Sequence, residues 1–151
     1  MASLTNILAQ AKQRAVDKGL AYEGALTPEE AWEILQSAPN AKLVDVRSYP
    51  ELDLVGRIPQ ADHIEWAFYP DWKPNPDFAS QLKTQIDPES LVMFICRSGG
   101  RSHKAAQAAH QIGYTSTYNV LEGFEGDPDA ATAQRGKVNG WKAAGLPWKN
   151  A

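Results

Sequence analysis

The sequence predicts an α/β fold in which a parallel central sheet is covered on both faces by helices. Two patterns carry that prediction. Short apolar runs of strand length, Leu43-Val44-Asp45-Val46 and Leu91-Val92-Met93-Phe94-Ile95, alternate with stretches whose apolar residues recur at helical spacing. Runs that are apolar almost throughout belong to strands buried on both faces, and strands alternating with helices build a parallel sheet. At 151 residues the chain fits one ordinary domain, large enough to bury a core without disulfides or a structural metal.

In residues 4–16, Leu4, Ile7, Leu8, Ala11, Ala15 and Val16 recur at helical spacing, with Lys12, Arg14 and Asp17 on other faces. This amphipathic helix lacks the arginines and bulky interfacial aromatics of a transit or membrane-surface segment, so it is expected to pack on the domain. Residues 1–25 are read as a helical extension and residues 26–151 as the domain. Thr27-Pro28-Glu29-Glu30 is a helix start: Thr27 as N-cap, Pro28 at the first helical position, Glu30 three residues after the cap. Ala31, Trp32, Ile34 and Leu35 form its apolar stripe, and Pro39-Asn40 ends it. Strand 43–46 follows, and a second short strand is expected over His63-Ile64-Glu65-Trp66. Pro70, Pro74 and Pro76 punctuate a loop ahead of a helix over 77–85. Then come strand 91–95, a helix over 102–112 closed by Gly113, and a strand over 117–120.

Composition excludes several classes of function. A single cysteine rules out an intramolecular disulfide and cysteine-rich zinc sites, and His63, His103 and His110 have no metal-ligand spacing. The net charge of −3 is spread along the chain, without the basic blocks and interleaved aromatics that track a phosphate backbone. No apolar stretch approaches the roughly 20 residues that span a bilayer, and the N-terminus lacks the apolar core of a secretory signal. Neither nucleic acid nor membrane is an expected partner, and neither cofactor nor metal is expected. The expected location is cytoplasmic, a reducing compartment suited to a reactive thiol.

That thiol is Cys96. A lone cysteine is most often a buried small hydrophobe, but this one stands where the apolar run 91–95 gives way to Arg97-Ser98-Gly99-Gly100-Arg101-Ser102 and then to an alanine-rich helix. Two arginines and two adjacent glycines make a poor core. They suit a tight loop whose amides face inward around a ligand, at the positive end of a helix. In parallel sheets ligands bind beyond the carboxyl ends of the strands, where Cys96 falls. The thiolate is the reactive form, which makes Cys96 a candidate nucleophile.

Together Leu43-Val44-Asp45-Val46-Arg47, Gly56-Arg57-Ile58-Pro59, the Cys96 loop and Asn119-Val120-Leu121-Glu122-Gly123-Phe124 closely resemble the rhodanese family of sulfurtransferases, over about residues 26–148. The resemblance implies a rhodanese-like three-layer sandwich. It also implies that Cys96 takes a sulfane sulfur from a donor, becomes a persulfide and passes the sulfur to a thiophilic acceptor. Backbone amides of residues 97–102 would cradle the transferred sulfur, since its negative charge needs donors already in place. Arg97 and Arg101 match basic loop positions suited to an anionic donor such as thiosulfate, and cyanide or a thiol, a protein thiol included, would be the acceptor. A doubly cationic loop favours thiosulfate over mercaptopyruvate. Asp45 is read as shaping the floor of the site, the alternative being a structural ion pair of Arg47 with Glu51. His63 and His103 are read as solvated or core histidines.

Two departures and two alternatives stand beside this reading. Arg57 occupies a position that is commonly histidine in the family. Residues 125–139 intervene before Gly140-Trp141, where the family often runs on almost directly, and Trp141 and Trp148 are expected to strap the sheet. A loop-cysteine phosphatase or arsenate reductase is the nearest competing enzyme. Those enzymes place five residues between cysteine and arginine to hold a tetrahedral oxyanion, whereas four separate Cys96 from Arg101. A non-catalytic rhodanese-like binding module usually loses the cysteine, which is retained here.

Overall fold

A computed structural model describes residues 3–150. The elements are α1 Leu4–Lys18, β1 Gly24–Leu26, α2 Pro28–Ser37, β2 Ala41–Asp45, α3 Tyr49–Val55, β3 Asp62–His63, β4 Ala67–Phe68, β5 Lys73–Pro74, α4 Phe78–Gln85, β6 Leu91–Ile95, α5 Gly100–Gln111 and β7 Thr117–Val120. Five strands form one sheet in the order β1-β7-β6-β2-β3, every neighbouring pair parallel, and β4 and β5 form a separate antiparallel hairpin.

β6 lies at the centre of the sheet, so both its faces need cover. Successive side chains of a strand point to opposite faces. Met93 and Ile95 join Ile7, Ala11, Leu26, Ala31, Ile34, Leu43 and Trp141 on the side of α1 and α2. Val92, Phe94 and Cys96 join Val44, Phe78, Leu82, Ala105, Ala106 and Ala109 on the side of α4 and α5. The result is the expected α/β sandwich, and it places the Cys96 side chain on the α5 side.

The start of α2 is as expected. Thr27 Oγ1 accepts from the Glu30 amide at 3.2 Å, and Glu30 Oε1 accepts from the Thr27 amide at 2.9 Å. Glu30 also holds Arg14 of α1, at 2.6 and 3.1 Å. Ile7, Ala11 and Ala15 are buried, so α1 packs into the core, and β1 runs across the boundary between residues 25 and 26.

Two elements have little sequence signal. β1 has three residues, and its Gly24 leaves no room for a side chain: a Cβ there would stand 2.8 Å from the Tyr118 ring and 2.9 Å from the Ala11 carbonyl carbon. α3 has seven residues, begun by a capping box between Ser48 and Glu51. The strand expected over 63–66 is shorter and starts earlier, at Asp62–His63. Beyond it Ile64 and Trp66 still donate to Asp45 and Val46 carbonyls, but Asn75 Nδ2 takes the Glu65 carbonyl at 2.8 Å and the chain peels away into the β4–β5 hairpin.

Trp141 is buried, meets Trp32 edge-on at 5.9 Å and donates Nε1–H to the Pro147 carbonyl at 2.9 Å. Trp148 is 38% exposed, edge-on to Phe124. Residues 125–139 fold back on themselves: Arg135 Nη1 donates to the Gly126 carbonyl at 2.6 Å, and Asn139 receives the Asp127 amide at 2.8 Å. That return delivers the Trp141 amide to the Gly123 carbonyl at 2.9 Å. Arg57 pairs with Asp53 at 3.1 Å while its backbone bridges Lys149.

Candidate active site

Cys96 follows the last residue of β6 and is 1% exposed. The chain turns through residues 97–99 into α5, and Gly99 donates its amide to Cys96 Sγ at 3.1 Å. The loop's carbonyls have other partners. The Cys96 carbonyl accepts from Phe124 N at 2.8 Å, and the Arg97 carbonyl accepts from Glu125 N and Gly126 N at 3.0 and 3.1 Å. The Gly99 carbonyl accepts from His103 N at 3.1 Å and Asn119 Nδ2 at 3.2 Å. With these acceptors spent, the Gly99 amide is the loop donor on Sγ, beside the first amides of α5, which have no intrahelical acceptor.

Gly123 makes this clamp possible. Its φ is +70°, and a Cβ would lie 2.5 Å from the Arg97 carbonyl carbon and oxygen. Glu122, at the same φ without being glycine, carries the backbone strain of the turn. Its side chain is used too, accepting from the Gly140 amide at 2.9 Å.

Ser102 lies on the first turn of α5, fully buried. Its Oγ stands 3.3 Å from Cys96 Sγ and donates to Asn119 Oδ1 at 2.6 Å. A hydroxyl has one proton, so Ser102 can serve Asn119 while accepting from a thiol, or turn to a thiolate, but cannot donate to both. Asn119, near the end of β7, thus ties the serine and the Gly99 carbonyl together.

Asp45 and Arg47 form a buried ion pair at the end of β2. Asp45 accepts from Arg47 Nε at 3.0 and 3.1 Å, from Nη2 at 2.7 Å and from the Arg47 amide at 3.0 Å. Nη2 also donates to the Gly56 carbonyl at 2.9 Å, and the guanidinium stacks 4.1 Å from the Phe124 ring centroid. The pair therefore supports the residue that clamps the Cys96 carbonyl. The alternative pairing of Arg47 with Glu51 does not occur, because Arg47 is enclosed by Asp45 and Phe124.

Glu51 is bound instead to Arg101, in a bidentate pair with distances of 2.7 and 2.9 Å. Burial alone would push its carboxyl up, but the Arg101 guanidinium and the Ser48 amide outweigh burial and hold it down at about 2. One face of the Arg101 guanidinium stacks on Trp72 at 4.6 Å. Arg101 thus lines the site with its charge largely answered, while Arg97 is exposed. Beside the loop opens a cavity of about 400 Å³ with Trp66, Trp72 and Pro74 on its walls and Arg97, Arg101 and Lys104 around it.

His63 and His103 make no hydrogen bond to Cys96. His63 contacts the Arg47 carbonyl, and His103 Nδ1 meets the Tyr22 hydroxyl at 2.6 Å. Asn119, Trp72 and Lys104 have no role in the sequence reading, and Glu51 has only the alternative pairing with Arg47. A polar asparagine in an otherwise buried strand, and the Ser48-Tyr49-Pro50-Glu51 capping pattern, are the signals that were available for Asn119 and Glu51.

A cysteine at the carboxyl end of the central strand of a five-stranded parallel sheet, with the Gly99 amide on its sulfur, defines a class of protein that the comparisons identify. The chain belongs to the rhodanese-like domain family, whose model matches residues 27–127. It is similar to Rv0390 of M. tuberculosis, whose crystal structure superposes with a TM-score of 0.79 at 42% identity, covering 87% of this chain and all of that one. An uncharacterized Rickettsia conorii protein, RC0915, is 36% identical over 80% of this chain and 92% of its own length. The thiosulfate sulfurtransferase GlpE of Actinobacillus succinogenes is 29% identical over 83% of this chain and 90% of its own.

Proposed function

We propose that this protein is a sulfurtransferase that moves a sulfane sulfur from thiosulfate, or a related anionic donor, through a Cys96 persulfide to cyanide or a thiol. The observation that carries the reading is at the loop: its Cys96, Arg97 and Gly99 carbonyls are taken by other partners, and the Gly99 amide is on Sγ at 3.1 Å. In the first half-reaction the Cys96 thiolate attacks the outer sulfur of thiosulfate. The new bond is Sγ–S, the S–S bond of thiosulfate breaks, and sulfite leaves with that bond's electron pair. Negative charge moves onto the outer sulfur of the persulfide, where prearranged amides act without reorganising. In the second half-reaction the acceptor attacks that outer sulfur, the Sγ–S bond breaks, and the Cys96 thiolate is regenerated.

Arg97, exposed and adjacent to the nucleophile, is the cation that meets the donor, with Arg101 shaping the wall through Glu51 and Trp72. Ser98, Gly99, Gly100 and Ser102 supply the rest of the cradle, and Asp45 and Arg47 support it through Phe124. A thiolate enzyme of this kind fits the reducing cytoplasm. The four residues between Cys96 and Arg101 favour one sulfur atom over the oxygens of a phosphoryl group, because donors displaced from those oxygens lose most of their worth.

Incubation with thiosulfate is expected to add one sulfur, about 32 Da, to the intact protein, as a persulfide cap on a reactive thiolate. An adduct that survives Cys96→Ala, or sulfur transfer by that variant at the parent rate, contradicts the assignment. Robust hydrolysis of aryl phosphates lost in Cys96→Ser would favour a phosphatase instead.

A further inference from the structure

We infer that Lys104 anchors the sulfur acceptor, and that the acceptor which fits is a small aliphatic thiol carrying a carboxylate at the end remote from its sulfur. This deepens the sulfurtransferase reading and rests on it. Three cations surround the cavity beside the loop, and they are not equivalent. Arg101 gives both terminal nitrogens to Glu51 and one face to Trp72. Arg97 and Lys104 are exposed and form no salt bridge among the described residues. Their places differ: Arg97 adjoins Cys96 in the loop, whereas Lys104 lies three residues beyond Arg101 on α5, about 4.5 Å further along the helix axis and away from the nucleophile.

The position of a cation relative to the reacting sulfur selects the ligand. Thiosulfate is compact, and its charged oxygens are bonded to the sulfur directly attached to the one transferred. While that outer sulfur is in reach of Sγ, its oxygens lie beside the loop, where Arg97 stands. A ligand that reaches Lys104 while its own sulfur is at the persulfide must be longer, with the charge separated from the sulfur by a chain. Trp66, Trp72 and Pro74 give that chain apolar walls. In the transfer, the acceptor thiolate attacks the outer sulfur of the Cys96 persulfide, the RS–S bond forms, and the Sγ–S bond breaks with its electron pair returning to Cys96. The negative charge on the outer sulfur leaves with the product persulfide, and no external oxidant or reductant enters.

The test separates loading from unloading. Cys96 is loaded with thiosulfate, checked for the added sulfur by intact mass, freed of donor, and discharged with matched thiols, 3-mercaptopropionate against 3-mercaptopropanol and 6-mercaptohexanoate against 6-mercaptohexanol. The parent should prefer the carboxylates, and Lys104→Met should lower the carboxylate-to-alcohol rate ratio about fivefold, the factor expected of one partly exposed ion pair. Lys104→Arg should restore the ratio, and added salt should shrink it. A parent without carboxylate preference, or a preference that survives Lys104→Met, overturns the role of Lys104 while leaving the persulfide intact. Failure to load any sulfur overturns the sulfurtransferase reading and this inference with it.

Discussion

Glu51 shows how one side chain can reset the charge of a site. Two arginines in the reactive loop suggest a doubly cationic cradle, but the bidentate pair with Glu51 leaves Arg97 and Lys104 as the exposed cations around the cavity. The carboxyl of Glu51 is held down at about 2, below its ordinary 4.5. A depressed carboxyl stabilises the fold above its unfolded value and loses that contribution as pH falls through its folded value. The parent should therefore shed on the order of 2 kcal/mol between about pH 4.5 and pH 2 through this pair, a loss that Glu51→Gln should not show. Denaturant unfolding at stepped pH measures it, and identical pH slopes in the two proteins would remove Glu51 from the account. At assay pH the pair is fully formed, so Glu51 does not switch the site on and off.

At the scale of the element, the loop between β6 and α5 is shaped as much by residues 122–126 as by its own glycines. Those residues take the Cys96 and Arg97 carbonyls, and Gly123 is the point of closest approach. A methyl group at Gly123 meets the Arg97 carbonyl at 2.5 Å in a left-handed conformation, so backbone has to move. Gly123→Ala is expected to cost about 2 kcal/mol or more through strain and overpacking. It should also slow persulfide formation more than a stability-matched core variant such as Ile34→Val does. Equal loading rates in the two variants would mean that the clamp serves stability alone. The β4–β5 hairpin has a similar indirect role: the chain leaves β2 before the end of the strand expected over residues 63–66, and Trp72 between β4 and β5 stacks on Arg101.

Across the whole molecule, α1 behaves as part of the core. Ile7 and Ala11 lie in the same apolar cluster as Leu26, Met93 and Trp141, and Arg14 binds both Glu30 and the Ala25 carbonyl. We expect removal of residues 1–19 to abolish a cooperative thermal transition, since it strips cover from one face of the sheet and orphans a capping carboxylate. Ile7→Ala should lower stability by about 2–4 kcal/mol, the range for an emptied core site. Calorimetry reads both, and a truncated chain that unfolds cooperatively near the parent temperature would make residues 1–25 a separable extension.

The features that sequence alone determined are local ones. Apolar runs marked β2 and β6, a capping box marked the start of α2, and the passage from a buried strand through paired glycines to an alanine-rich helix marked Cys96, because each depends on residues within a few positions of one another. Only the tertiary structure decided which charges meet. Arg101 and Glu51 are 50 positions apart, Ser102 and Asn119 are 17 apart, and the Cys96 and Arg97 carbonyls are held by amides more than 25 residues downstream. Asp45 and Arg47 sit two positions apart, yet the ion pair the sequence suggests for Arg47 is with Glu51, four positions on. Burial settled it: enclosed by Phe124 and the Gly56 carbonyl, Arg47 is left with Asp45 as its carboxylate. Spacing along a chain limits which partners are possible, and packing in three dimensions selects among them, because a buried charge is tolerated only where an opposite charge and hydrogen bonds already wait.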